Sequence, residues 1–230
     1  TASYSNISFS VAAQDTAPQS IFFSSTGTSL FMLGSSTDRV HQYSLDTAWD
    51  VSSAYYSQEL SVSAQDSIPT GVAFSTDGNK MYVLGDAGND INEYDLADSW
   101  RVNTATYVHN FSISSEDTKP SGITFKPDGT IMYIVGSQSD SVYQYSLTTP
   151  WDISTAVYAN VNFSVVSQDA LPTSIALNDD GTKMFITGSS TGRDSVHQYT
   201  LRTAWDISTA VGFSHYVGNE DSVPSGVAFK

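Results

Sequence analysis

AQDSIPTGVAFSTDGNKMYVLGDAGNDINEYDL, residues 64–96, is one copy of a pattern that recurs along the whole chain. It opens on an acidic loop in which Asp66 is followed three positions later by Pro69. A short run of β-formers, Thr70 to Thr76, then leads to the turn pair Asp77-Gly78, and the chain returns through Lys80 to Gly85. After a polar loop comes a third run, Ile91 to Leu96, and beyond Trp100-Arg101-Val102-Asn103 a fourth, Thr104 to Ser114. No stretch shows a helical 3.6-residue period, and clusters of Gly, Asn, Asp and Ser separate the runs, so we read four antiparallel strands, a to d. The Asp77-Gly78 pair is expected to form a two-residue hairpin turn with positive φ.

The same order of signals is found throughout the 230 residues. Asp15, Asp66, Asp117, Asp169 and Asp221 are spaced by 51 or 52 positions, each ahead of a proline: Pro18, Pro69, Pro120, Pro172 and Pro224. Turn glycines Gly27, Gly78, Gly129 and Gly181 follow, then a strand-c tyrosine (Tyr43, Tyr94, Tyr145, Tyr199) and, six residues on, Trp49, Trp100, Trp151 or Trp205. Four strands in about 51 residues is the repeat length of a β-propeller blade rather than of a helical or leucine-rich solenoid. The fold class is therefore all-β, a propeller with strand a innermost and strand d outermost. It forms one array over 1–230, with units near 1–56, 57–107, 108–158, 159–211 and a partial 212–230. Strands b and c occur four times each but strand a five times, and Thr1 to Ser10 reads as a fifth strand d. The expectation is a fragment of a ring of five or more blades.

The stretches IPTGVAFSTDGNKMYVLG and KPSGITFKPDGTIMYIVG resemble the YVTN/NHL/lactonase-like group of propeller repeats. With VYQYSLTTPWDISTAVY appended, the unit is similar to tandem repeats of phage virion proteins and bacterial surface proteins. The resemblance spans essentially the whole chain. It implies the fold, while propellers host hydrolases, lectins and scaffolds alike.

Composition removes other classes. Nine basic against 24 acidic residues give a net charge of −15, the wrong sign for neutralising nucleic-acid phosphates or docking on anionic lipid. No apolar run approaches the ~20 residues of a membrane-spanning helix, so membrane insertion is not expected. The absence of cysteine excludes disulfides, thiolate metal sites and cysteine nucleophiles. The start shows no initiator Met, basic region or apolar core of a signal peptide.

Candidate site residues fall in two groups. The d-to-a and b-to-c loops should emerge on one face and collect Asp15, Asp66, Asp117, Asp169 and Asp221 with Asp38, Asp90, Asp140 and Asp194. These carboxylates are hard oxygen ligands suited to Ca²⁺ or acceptors for sugar hydroxyls. Their recurrence in every blade favours instead the capping of their own loops ahead of a fixed proline, so neither a cofactor nor a specific metal site is expected, with Ca²⁺ the one alternative. Blade four carries two extra b-to-c residues, and its Arg193, beside Asp194, is the first choice for a ligand contact. The tryptophans, regular from blade to blade, are expected to wedge against a neighbouring blade rather than to stack on sugars. His41 and His197 share one strand-c position, where Asn92 and Tyr143 stand in the other blades. Asn6, Asn110 and Asn162 lie in N-x-S sequons.

With no GxSxG, HExxH or glycine-rich phosphate loop, the sequence reads as a non-catalytic structural or adhesion module. On this reading it belongs to an extracellular assembly, a virion or cell surface, and its partners are other subunits or surface glycans. A lectin-like propeller stands second and a metal-dependent hydrolase third.

Overall fold

A computed structural model describes residues 6–190, 195–216 and 225–228. The chain builds four four-stranded antiparallel sheets, each from four consecutive strands. Blade 1 comprises β1 (Pro18–Phe23), β2 (Ser29–Gly34), β3 (Arg39–Leu45) and β4 (Ala54–Ser61); blade 2 comprises β5 (Pro69–Phe74), β6 (Lys80–Gly85), β7 (Asp90–Leu96) and β8 (Ala105–Ser112). Blade 3 comprises β9 (Pro120–Phe125), β10 (Ile131–Gly136), β11 (Ser141–Leu147) and β12 (Ala156–Ser164); blade 4 comprises β13 (Pro172–Leu177), β14 (Lys183–Gly188), β15 (Ser195–Leu201) and β16 (Ala210–Tyr216). The first strands, β1, β5, β9 and β13, stand side by side at the centre of the ring. This is the β-propeller expected from the repeat. Among the described residues no helix is long and apolar enough to cross a membrane.

Strand b of each blade reads as an uninterrupted apolar run because both of its faces are covered. In β6, Met81 and Val83 point toward blade 1 while Tyr82 and Leu84 point toward blade 3, and all four are fully buried. Side chains alternate across a strand, so one hydrophobic run feeds two inter-blade cores. Strand d has solvent on its outer edge, and Tyr55, Tyr107 and Val157 are exposed there.

Four details depart from the sequence reading. The a-to-b connection is longer than two residues: Gly78 N–H donates to Ser75 O at 2.9 Å and Ser75 N–H to Lys80 O at 3.0 Å, with Gly78 alone at positive φ. Such a connection is a four-residue loop closed by a left-handed glycine. A short 3₁₀ turn, Val102–Thr104 in blade 2, precedes every strand d. Residues 6–10 are not a strand, although Phe9 packs edge-on against Tyr43 with ring centroids 5.3 Å apart. Phe111 meets Tyr145, and Phe163 meets Tyr199, in the same way from the strand d of the preceding blade. Residues 225–228, in the segment read as strand a of the partial fifth unit, are likewise not a strand; they lie beside blade 1, where Ser225 Oγ is 3.5 Å from Pro18 O. Ser121 Oγ donates to Pro172 O, between blades 3 and 4, at 2.7 Å.

Candidate functional site

The acidic loops come together with the b-to-c loops, as their order in the repeat requires. Asp15 accepts from Ala17 N at 2.7 Å, Thr37 N at 2.9 Å and Thr37 Oγ1 at 2.6 Å. Asp66 accepts from Ile68 N at 2.7 Å and Gly88 N at 2.8 Å, and Asp117 from Lys119 N at 2.7 Å and Ser139 N at 3.1 Å. Asp169 takes Leu171 N at 2.8 Å and the Ser190 hydroxyl. All four are buried, and each ties two loops of its own blade together by bonding peptide donors. A Cβ on Gly34, Gly85, Gly136 or Gly188 would fall inside these carboxylates, which explains the glycine that ends every strand b. For Asp15, burial pushes the pKa up, but the bonds from Thr37, Ala17 and Ser36 outweigh it and hold the carboxyl below its ordinary value. Arg193, Asp194 and Asp221 lie outside the described residues.

On this face His41 is buried, with Nε2 3.2 Å from Thr37 Oγ1 and Nδ1 3.2 Å from Glu59 Oε2. Burial lowers its pKa despite the neighbouring Glu59 and Asp15 carboxylates. His197, at the same position in blade 4, is also buried and lies 3.7 Å from Asp169 Oδ2.

The tryptophans lie at the opposite end of the blades, half-buried, and each has positive φ, from 61° at Trp100 to 67° at Trp49 and Trp205. Each indole covers the turn glycine of its own blade; a Cβ on Gly78 would sit 2.3 Å from the Trp100 ring. Trp100 also packs against Phe22 and Phe31 of blade 1, so the indole bridges two blades. Trp100, Trp151 and Trp205 line a cavity of ≈ 250 Å³ at this mouth of the channel, with Phe22, Phe74 and Phe125.

One seam breaks the repeat. Strand c carries Gln42, Gln144 and Gln198 in three blades but Glu93 in blade 2. In blade 1, Gln42 Nε2 donates to Trp100 O of the next blade at 2.8 Å, and Gln42 Oε1 accepts from Val102 N at 3.2 Å. A carboxylate cannot make the first of these bonds. In blade 2 the Tyr82 hydroxyl makes it instead, donating to Trp151 O, while Glu93 Oε2 accepts from Ile153 N at 3.1 Å. The Glu93 carboxylate is 2 % exposed and bonded to Lys80 Nζ at 2.5 Å; that ammonium also holds Asp95 at 2.8 Å. Burial would lower the Lys80 pKa, but its bonds to Asp95 and Glu93 raise it.

Opposite Glu93 on strand d stands His109, whose Nε2 is 3.6 Å from Glu93 Oε2 and makes no hydrogen bond. Asp152, from the adjoining loop of blade 3, completes a group whose ligand atoms lie within 4.8 Å of one another. Ser154, through its hydroxyl and its N–H, holds the Asp152 pKa low. Among the described residues this is the one group of three or more His, Asp or Glu side chains close enough to share a metal ion. The sequence reading passed over it because Glu93, His109 and Asp152 are far apart in the chain; the signal was the Glu in place of Gln.

The sequence matches the family described as "Lactonase, 7-bladed beta-propeller" over residues 10–204. No curated protein matches the chain. Among solved structures it is similar to a proposed 6-phosphogluconolactonase from Bacteroides fragilis, at 14% identity and TM-score 0.57 over 91% of this chain and 56% of that one. It is similar also to the periplasmic gluconolactonase of Pseudomonas aeruginosa (14%, 0.52, 86% and 53%) and to hydrazine synthase of Kuenenia stuttgartiensis (17%, 0.54, 88% and 50%). The chain thus spans little more than half the length of the two lactonase-named structures. Likeness at this identity, shared by proteins of different chemistry, carries the fold alone. The finer resemblance to phage and bacterial-surface repeats finds no support in these matches. The family match overturns the expectation of a non-catalytic structural or adhesion module, and with it the virion and adhesion assignment, since the matching family is named for an enzymatic activity. Regular blades had suggested a scaffold because their repeated residues are structural, yet a site needs only a few residues that break the repeat, as at Glu93. By its match over residues 10–204, the chain belongs to the seven-bladed β-propeller lactonase family.

Proposed function

We propose that the chain is the propeller of a lactone hydrolase, opening a cyclic sugar ester with water. The family match over residues 10–204 carries this reading. Hydrolysis of a lactone needs a water made nucleophilic and a group that stabilises the oxyanion formed at the carbonyl. The blade 2–blade 3 seam supplies groups of both kinds: the His109 imidazole with a free ring nitrogen beside the Glu93 and Asp152 carboxylates, and the Lys80 ammonium.

The test is hydrolysis of a six-membered sugar lactone, followed by acid release and corrected for spontaneous opening. Wild-type chain should accelerate it, and His109→Gln should reduce kcat by about 10²-fold or more, the typical share of a positioned acid–base group. No acceleration would overturn the activity. Full activity in His109→Gln would move the site away from this seam.

A further inference from the structure

We infer that the seam between blades 2 and 3 binds one divalent transition ion, Zn²⁺ or Mn²⁺, through Glu93, His109 and Asp152. The inference gives a cofactor to the seam on which the lactone reading relies and changes the part of His109 there, since with Nε2 on the ion the metal rather than the imidazole would activate the water; the observations behind it are separate. The first is spacing. Two ligands bound tetrahedrally at about 2.0–2.1 Å stand roughly 3.3 Å apart. The 3.6 Å between His109 Nε2 and Glu93 Oε2 is too long for a hydrogen bond and close to that separation. The whole set spans no more than 4.8 Å, so side-chain rotation of about an ångström closes it around an ion.

The second observation is the state of the donors. His109 Nε2 is shielded from solvent and has no hydrogen-bond partner, an arrangement that ordinarily costs free energy. Asp152 uses Oδ1 to receive Ser154 N at 3.0 Å and the Ser154 hydroxyl at 2.5 Å, a bond pattern that fixes the carboxylate while Oδ2 takes no part in it. These contacts orient the ligand, as outer-shell bonds do around bound metals.

The third is a control within the molecule. The equivalent seam between blades 1 and 2 has the same backbone but carries Gln42, Gln58 and Arg101. There Gln58 Nε2 bonds Gln42 Oε1, and Gln42 caps the next blade. Glu93 and His109 therefore replace a hydrogen-bonded glutamine pair on two facing strands, beside an aspartate that the repeat also carries as Asp50 and Asp206, while Tyr82 makes the capping bond that Gln42 makes in blade 1. Lys80 neutralises Glu93 Oε1, and Oε2, which accepts Ile153 N at 3.1 Å, keeps a second lone pair for the ion. One imidazole and two carboxylates suit Zn²⁺ and Mn²⁺ better than Ca²⁺, which takes six to eight oxygens.

Isothermal titration of chelator-treated chain with Zn²⁺, Mn²⁺ and Ca²⁺, without substrate, tests this. One equivalent of Zn²⁺ or Mn²⁺ should bind. Affinity should fall at least tenfold in His109→Gln and in Asp152→Asn, a loss that even outer-shell changes can produce. Both variants are conservative: the first installs the Gln of blade 1, and the second keeps the Ser154 cap. A melting curve of each variant without metal verifies the fold. Absence of binding at 1 mM metal, unchanged affinity in both folded variants, or Ca²⁺ binding as tight as Zn²⁺ would overturn the inference. Because no lactone is present, failure of the metal site and failure of the hydrolase reading are read separately.

Discussion

The Tyr133 hydroxyl donates to the backbone carbonyl of Trp205 at 2.7 Å, across the boundary between blades 3 and 4. Tyr82 meets Trp151 O in the same way one blade earlier. Blade 1 has Phe31 at that position, and Gln42 caps Trp100 O from the neighbouring strand. The carbonyl to be satisfied belongs in each case to a tryptophan held at positive φ, and the donor comes from strand b or strand c. The two solutions are interchangeable, which makes them testable.

Gln42→Glu should strand Trp100 O and cost about 1–3 kcal/mol, the penalty of a buried carbonyl left without a donor. Phe31→Tyr in that background should restore most of the loss, because a tyrosine already fits the same environment in blade 2, where Tyr82 lies 4.6 Å from Phe125. Urea unfolding of the two single variants and the double gives the coupling energy. Strict additivity would sink the idea.

The tryptophan backbone yields an unusual order of substitutions. Trp151 has φ 65°, a conformation costing a residue with a Cβ roughly 1–2 kcal/mol and glycine nearly nothing. Trp151→Ala should lose about 3–5 kcal/mol of packing, whereas Trp151→Gly should be the more stable variant of the two by ~1 kcal/mol. Elsewhere in a protein glycine is normally the worse replacement. Chemical denaturation of both variants decides; an alanine variant equal to wild type would show that the indole packs against nothing of consequence.

Acid should destabilise the propeller in two stages. His41 is pushed below its ordinary 6.5 by burial, so the unfolded chain binds its proton first, and the stability from the neutral ring, full above about pH 6.5, is lost as pH falls toward the folded value. Asp15 is held below the ordinary 3.8 by its loop bonds, and Asp128 is lowered to about 2 although burial opposes it, by Lys126 and Thr130. Their contribution is complete above the ordinary carboxylate range and disappears as pH drops through their folded values. Melting temperature against pH should therefore fall gently below pH 6.5 and steeply below 4. His41→Asn should remove the upper stage and leave the lower; loss of both, or of neither, would contradict the assignment.

The repeat period, the strand order and the turn glycines were legible in the sequence because each is a local signal recurring at fixed spacing. Strand boundaries were close for the same reason: Lys80–Gly85 was read without change. The 3₁₀ turn and the positive φ of the tryptophans were not, since nothing local distinguishes Trp-Asp-Ile-Ser from an ordinary loop. That conformation is fixed by the indole closing over a glycine about twenty residues earlier, where Trp100 N–H donates to Gly78 O at 2.9 Å.

Sequence alone determined the blade and its repetition: alternation sets the two buried faces of strand b, and the aspartates recur where each loop needs a carboxylate for its own peptide donors. Only the tertiary structure decided which residues meet across seams. Glu93 and His109 face each other through strand register, and Asp152 reaches them from a blade whose sequence begins a full repeat later. Contacts between blades depend on the packing of one sheet upon the next, and no local pattern encodes that distance.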